Sequence, residues 1–491
     1  MSARPQGVKK VVLVVIDAMS PEGVQEALVE DTVPALATLI REGTYADDCV
    51  STFPSVTPVA ASAITTGLGP ADHLIPSMNW FHRGEERYVE YGTSFSASRA
   101  HGVFHSLQDT VYNMNLAHLS QAERTVFEHL DDAGLRTACT TYLIYRGRHR
   151  HEPTRESPYV RLAEAAQFRH AVWGPRELFY ADLFDTQNTG CSSTLGLPGQ
   201  RDAHSACVGE HLVRNDLFDF LLFSLPDNDS YSHREGPDAQ PISLAEADRA
   251  LQRLMDAGGG AEEFLADHAV IVVSDHSHDL VREATNLSEA LAGWRVLAPV
   301  DMDPDIAEIA VCPGSRSAQI YALGGLDRGE VAERVVDDLE GVPGVDVIAR
   351  MHDGRGLVWT PRGELRFAPG GDLRDSRGNA WALDGEPAAL GLSVDGALVS
   401  SHEYPDALRR LWSALDCPRT GEVLLSAEPG FEFTDWGGRH HVGGGSHGSL
   451  HRCDSLGVLI TCGVDADPAP AGTRPSIEDV TPMVLEHFGA A

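Results

Sequence analysis

Three continuous, largely apolar runs recur in the first 280 positions, at Val11–Ile16, Asp219–Leu225 and Ala269–Ser274, and an acid follows each within two residues. Continuous apolar runs of this length mark strands buried on both faces. Between them the pattern changes to helical period: a turn plus helix from Pro21 to Ile40, a helix over Gln121–Ala133 leading to a short strand at Arg136–Tyr142, and a helix over Leu244–Met255. Buried strands alternating with amphipathic helices predict an α/β fold, a doubly wound, largely parallel sheet with helices on both faces.

After about Arg295 the pattern shifts. A strand at Gln319–Leu323, a helix at Gly329–Leu339 and a strand at Val345–Ala349 precede hairpin-like segments at Gly363–Phe367 and Ala380–Leu383. Short buried strands return at Val423–Leu425 and Leu456–Ile460, and Ser476–Phe488 reads as a terminal helix. The expected organisation is a core formed by residues 1–295 and 421–491, interrupted by an inserted, smaller α+β cap domain at 296–420. Trp359, Trp381, Tyr404 and Trp412 of that insertion are expected in its core rather than against a substrate ring.

Composition narrows the partners. Lys and Arg total 38 against 72 Asp and Glu, a formal charge of −34. A polyanion would be repelled over most of such a surface, so neither a nucleic-acid polymer nor a membrane is expected as partner. Any phosphate site must carry its own positive charge, which bound metal ions can supply. Val11–Ile16 is too short for a secretory segment or a membrane span, so a cytoplasmic location is expected. Eight cysteines without a C-x-x-C pair are read as buried thiols rather than a disulfide framework. Nothing in the pattern sets an oligomeric state.

The chemistry-bearing residues cluster at the ends of the expected strands: Asp17, Asp229 with His233, and Asp275–His276. Ligands of open α/β sheets gather outside the carboxyl ends of the strands, and divalent metals take carboxylate and imidazole donors. The glycine-rich turn Gly443–Gly448 offers His447 as a further imidazole. A separate stretch, Phe53–Gly67, sets hydroxyls and two prolines ahead of a Thr-Gly turn. There Pro58 suits a first helical position and Thr57 an N-cap, where an oxygen nucleophile would lie beside a positive helix end.

Taken in order, V-V-I-D at Asp17, the Thr57 loop, P-D-N-D-S-Y-S-H, S-D-H at Asp275 and G-S-H-G at His447 resemble the alkaline phosphatase superfamily, in its nucleotide pyrophosphatase/phosphodiesterase branch. The resemblance covers residues 9 to about 290 and 425 to 491. It implies a phosphodiesterase or pyrophosphatase acting on a small phosphate-ester or nucleotide substrate. Asp17, Asp275 and His276 would hold one metal beside the nucleophile, and Asp229, His233 and His447 a second. Two divalent ions are implied, zinc given three histidines, with manganese as the alternative. Hydrolysis would be a double displacement through a phosphothreonine.

The family nucleophile lies nine residues before the threonine of a T-G-L-x-P turn. Thr66–Pro70 puts that position at Thr57, in preference to Thr52 of Thr52-Phe53-Pro54. Asn79 lies one residue from where an asparagine contacts the phosphate, and His73 is read as structural. Ala60 and Ser277 stand where the family has asparagine and glycine. His278, His440, His441 and His451 are expected to be hydrogen-bonded or exposed, since six ligands already fill two sites. A phosphomonoesterase, with Arg146 or Arg148 reaching in, and a phosphonate hydrolase are alternatives on the same framework, and a non-catalytic metal-binding protein is a third. A sulfatase is disfavoured, because Cys312-Pro313-Gly314-Ser315-Arg316 has glycine where that signature needs proline.

Overall fold

Strand Lys10–Ile16 explains the architecture. All seven of its residues are buried, and alternate side chains enter different cores, as the two-residue period of a strand demands. Val11, Leu13 and Val15 pack with helix Thr57–Thr66 and the terminal helix Val480–Phe488. Val12, Val14 and Ile16 pack with helices Pro21–Val29, Pro34–Glu42 and Gln240–Ala257. A strand with two apolar faces is stable only between two helical layers, which is the doubly wound arrangement.

The computed structural model describes residues 4–153, 170–193, 196–299, 303–470 and 472–490. Its central sheet has eight strands in the order Thr44–Val50, Leu456–Cys462, His268–Val273, Lys10–Ile16, Phe220–Leu225, Thr137–Cys139, Glu177–Tyr180 and Phe184–Asp185. The five strands from His268–Val273 to Glu177–Tyr180 run parallel, and the outer pairings are antiparallel. The expected segment Pro21–Ile40 is two helices. Asp31 adopts a left-handed conformation (φ 58°), and Pro34 restarts the chain as a helix.

The second sheet has nine strands, led by the hairpin Ile309–Gly314 and Ser317–Ala322. Val423–Ala427 belongs to this sheet, between Ser317–Ala322 and Val345–His352, and not to the central sheet as expected. Trp381 and Tyr404 are buried in its core, while Trp359 and Trp412 pack partly buried against its clusters. The turn of the hairpin joins the two sheets: the Arg316 amide donates to the His447 carbonyl (2.9 Å). The buried Arg316 guanidinium lies 3.1 Å from Asp279 and 3.3 Å from Asp454.

The cysteine expectation needs correction at one pair. Cys191 and Cys207 form a disulfide, with Cα atoms 5.9 Å apart, and six thiols are free. The bond ties the loop before residue 200 to helix Arg201–Arg214, a tertiary closeness that spacing in the sequence does not reveal. Among the described residues no helix is long and apolar enough to cross a membrane.

Candidate metal centre and nucleophile

The parallel strands end on one side of the sheet, and their following residues line a cavity of about 290 Å³. Asp17 follows Lys10–Ile16, Asp275 follows His268–Val273, and Asp229 lies in the first turn of helix Asp227–Glu235 beyond Phe220–Leu225. Short bonds tie these ends together. The Ala18 and His276 amides both donate to Asp275 Oδ1 at 3.0 Å, and Asn228 Nδ2 donates to the Asp17 carbonyl at 2.8 Å.

Two donor sets result. In the first, His276 Nε2 lies 3.3 Å from Asp275 Oδ2 and 3.7 Å from Asp17 Oδ1. Thr57 Oγ1 is 3.2 Å from the same nitrogen. In the second, Asp229 Oδ1 lies 3.3 Å from His233 Nε2 and 3.7 Å from His447 Nε2. Asp229 and His233 are one helical turn apart and therefore share a face. The sets adjoin, with the His276 and His447 rings stacked at 3.8 Å.

The imidazoles are held as metal ligands are held elsewhere. His233 Nδ1 donates to the Gly445 carbonyl (2.8 Å) and His447 Nδ1 to that of Ser55 (2.9 Å), so that each Nε2 faces Asp229 and, in the neutral ring, can offer its lone pair to a metal. The glycines of the 443–448 turn permit this approach. A Cβ on Gly444 would come within 2.0 Å of the His233 carbonyl oxygen.

The electrostatics also call for a cation. Burial, then the facing carboxylates of Asp275 and Asp229, push the Asp17 carboxyl well above the usual range, and burial pushes Asp275 up as well. Among the described residues the buried Asp17 Oδ1 has no hydrogen-bond partner. Burial works against ionised Asp229 too, but His233 and His278 outweigh it and hold that carboxyl well below its ordinary value. A divalent ion at each set would neutralise the crowded acids and occupy the unpaired oxygen, so the residues fit the metals their types imply.

The Thr57 loop differs from the expected cap. Val56 is the N-cap, because the Val59 and Ala60 amides both bond to the Val56 carbonyl. Thr57 is thus the first helical residue and Pro58 the second. The Thr57 hydroxyl lies 3.2 Å from His276 Nε2, and Thr57 lines the cavity. Thr52 does not line it. That side chain is buried and donates to the Pro54 carbonyl (3.3 Å).

Other expected residues are placed elsewhere. Asn79 donates to Thr93 Oγ1 (3.0 Å) and to the Pro313 carbonyl (2.6 Å), and Thr93 rather than Asn79 lines the cavity. His73 is buried and accepts from the Ile75 amide (3.1 Å), as a structural histidine would. Asp227 accepts from the Gly199, Arg201 and Asp202 amides and fixes the start of the Arg201 helix. Arg146 is buried against Glu128, and Arg148 pairs with Glu128 and Asp132 at the surface. Neither reaches the cavity. His441 pairs with Glu432 (2.7 Å) and His451 caps the short helix Arg452–Ser455.

Reading the sequence passed over or missed several groups in or beside the cavity. His278 Nε2 lies 3.0 Å from Asp229 Oδ1, inside the second donor set. Its signal was the S-D-H-S-H spacing, since residues two apart on an extended segment share a face. Arg201 is the only Lys or Arg among the described lining residues. Its Nε donates to Asp227 Oδ1 (2.8 Å), and its Nη2 to the Pro226 carbonyl (3.0 Å) and Ser230 Oγ (2.6 Å). Tyr91, Tyr142 and Tyr180 of the core supply aromatic walls, and Ser315 alone comes from the second sheet.

No curated protein matches the chain by sequence. Its fold is similar to that of phosphonoacetate hydrolase from Sinorhizobium meliloti, solved with phosphonoformate and with phosphonoacetate. The TM-score is 0.55 at 17% identity, over 99% of this chain and 97% of that one. Murine ectonucleotide pyrophosphatase/phosphodiesterase 5 in complex with AMP is similar at a TM-score of 0.55 and 12% identity, over 98% and 95% of the two chains. These likenesses show the alkaline phosphatase-like fold. The sequence pattern of the type I phosphodiesterase/nucleotide pyrophosphatase family matches residues 11–450, from the first central strand through both donor sets, and the chain belongs to that family.

Proposed function

We propose that this phosphoester hydrolase is a two-metal phosphodiesterase or nucleotide pyrophosphatase that works through a phosphothreonine at Thr57. The observation that carries the reading is the Thr57 hydroxyl, 3.2 Å from His276 Nε2 and in one cluster with Asp17 and Asp275. Asp17, Asp275 and His276 would hold one metal and Asp229, His233 and His447 the other. Zinc suits the imidazole content, and manganese is the alternative. Bound there, the ions would lower the pKa of the attacking oxygen and draw charge from the phosphoryl oxygens.

The chain's own groups then set the course. Thr57 Oγ attacks phosphorus, forming the Oγ–P bond as the P–O bond to the leaving group breaks. Water on the face vacated by that group next cleaves the Oγ–P bond and restores the hydroxyl. Tyr91, Tyr142 and Tyr180 form an apolar wall suited to the leaving group.

Arg201 favours a second reading within the same framework. A guanidinium fixed by Asp227, Pro226 and Ser230 on the cavity wall suits an additional anionic group, as in a phosphomonoester or a carboxylated phosphonate. The test compares bis-p-nitrophenyl phosphate, p-nitrophenyl phosphate and phosphonoacetate, for the wild type and Thr57→Ala, with acid-quenched mass spectrometry for phosphate on Thr57. Unchanged activity in Thr57→Ala, or phosphate on another residue, overturns the mechanism. Preference for the monoester or phosphonate selects the second reading.

The disulfide between Cys191 and Cys207 favours an oxidising compartment over the expected cytoplasm. Thiol titration of unfolded protein purified without reductant would find six thiols if the bond forms in the native setting and eight if it does not.

A further inference from the structure

We infer that His278 is a fourth protein ligand at the Asp229 site, so that the two metals sit in unlike shells: one closed by imidazoles, the other completed by the nucleophile. The inference rests on the two-metal reading above and adds a residue that reading does not use.

The argument is geometric. Zinc bonded to nitrogen and oxygen at about 2.0–2.1 Å in a tetrahedron sets neighbouring donor atoms about 3.3–3.4 Å apart. From Asp229 Oδ1, the three nearest Nε2 atoms lie at 3.0 Å (His278), 3.3 Å (His233) and 3.7 Å (His447), scattered about that edge length. All four donor atoms lie within 4.8 Å of one another. Three imidazoles thus converge on one carboxylate oxygen, which has too few lone pairs to accept a hydrogen bond from each while serving a metal.

The surroundings admit this ring deliberately. The His278 side chain is fully buried. Its strand neighbour Asp279 pairs with Ser446, next to His447, which brings residues 278 and 447 side by side. A Cβ on Gly445 would come within 2.6 Å of His278 Nδ1, so the absence of a side chain there makes room for the imidazole. Unlike His233 and His447, His278 has no hydrogen bond at Nδ1 among the described residues. Nothing at Nδ1 therefore holds a proton there, and only the Asp229 contact sets the tautomer. Nε2 donates to Asp229 when it carries the proton, and its lone pair binds metal when the proton moves to Nδ1.

Four protein donors make the shell of a closed site, which resists removal of its ion and takes a substrate oxygen only as a fifth ligand. The first set has three such donors plus the Thr57 hydroxyl, so its ion is the exchangeable one.

The experiment is zinc K-edge absorption spectroscopy at one equivalent of zinc, on the wild type and on Asp275→Asn, whose first set is disabled. Three imidazoles per zinc are expected, falling to two in His278→Gln, with zinc affinity lower by about 100-fold or more. Glutamine can still donate to Asp229, so a residue that merely positions that carboxylate would be rescued by it. Cobalt-substituted protein gives a second readout, with the intense d–d bands of a four-coordinate ion in the wild type and an altered spectrum in the variant. Two imidazoles per zinc in Asp275→Asn overturn the inference even if His278→Gln fails to fold. Failure of the wild type to bind zinc or manganese at all overturns the two-metal reading instead.

Discussion

The two donor sets are built from the same sheet edge but by different means. Asp17, Asp275 and His276 sit directly on strand ends, cross-tied by the Ala18 amide and by Asn228. Asp229, His233, His278 and His447 come from a helix turn, an extended segment and a glycine-rich turn held together by backbone pairing. One set is acid-rich and has the Thr57 hydroxyl beside it. The other is imidazole-rich and contains no hydroxyl among its donors. The difference teaches that metal retention and chemistry can be assigned to separate halves of one centre.

Thr57→Ala makes the largest break in that comparison. Loss of the nucleophile should lower kcat/KM by about 10³-fold or more. Metal content should stay at two per chain, since the carboxylates and imidazoles remain. Steady-state kinetics with metal analysis of the same sample checks both halves. A variant that loses activity together with a metal would show that the hydroxyl is needed to hold the ion.

A buried acid outside both sets provides the control for their electrostatics. Burial, then Asp227, raises Asp202 from its ordinary 3.8 to about 7. Its folded value thus lies above its unfolded one, so the native state holds a proton that the unfolded chain has lost. Stability should be unaffected by this group below about pH 4 and should fall as pH rises towards 7, by up to about 4 kcal/mol at 1.36 kcal/mol per unit. Asp202→Asn should flatten that fall, measured as urea unfolding of metal-loaded protein between pH 4 and 8. An unchanged slope would mean that ionised Asp202 finds compensation in solution.

Much of the first set was legible because it obeys one rule: an acid within two residues of the end of an unbroken apolar run. Lys10–Ile16 followed by Asp17 and His268–Val273 followed by Asp275 both carry that signature. The second set follows no single local rule. Asp229 and His233 show the helical four-residue spacing, but His278 was set aside because six ligands already satisfied two sites. Its place beside His447 depends on the pairing of Asp279 with Ser446, a contact across 167 positions of sequence. The strand Val423–Ala427 was assigned to the wrong sheet for a similar reason, since a short buried strand reads alike in either. Cys191 and Cys207 likewise carry no motif.

Gly445→Ala separates the sets by sterics rather than ligand removal. The new Cβ would meet His278 Nδ1 at 2.6 Å and the Ser232 carbonyl oxygen at 2.9 Å. The backbone cannot retreat easily, because Gly445 also accepts from His233. Displacement of two imidazoles should weaken the histidine-rich site by about 10–100-fold, as outer-shell changes do, and leave the other site's affinity unchanged. Competitive titration against a chromophoric chelator reads the two sites separately. Equal weakening of both would mean that the stacked His276 and His447 rings couple them.

Arg201→Gln should have the smallest effect and the most specific one. The guanidinium reaches the cavity from helix Arg201–Arg214 and takes no part in either donor set. Glutamine keeps a polar amide near Ser230 but removes the charge. For a diester, whose second substituent leaves a single negative charge, the change should be slight. For a monoester or phosphonoacetate, with at least one more negative charge to hold, kcat/KM should fall by about 10-fold, the size of one charge-assisted hydrogen bond. The ratio of the two substrates in wild type and variant is the measurement. A matching fall for both would make Arg201 a support of the Asp227–Ser230 turn, acting on Asp229 through the backbone, and would remove the main physical argument for a dianionic substrate.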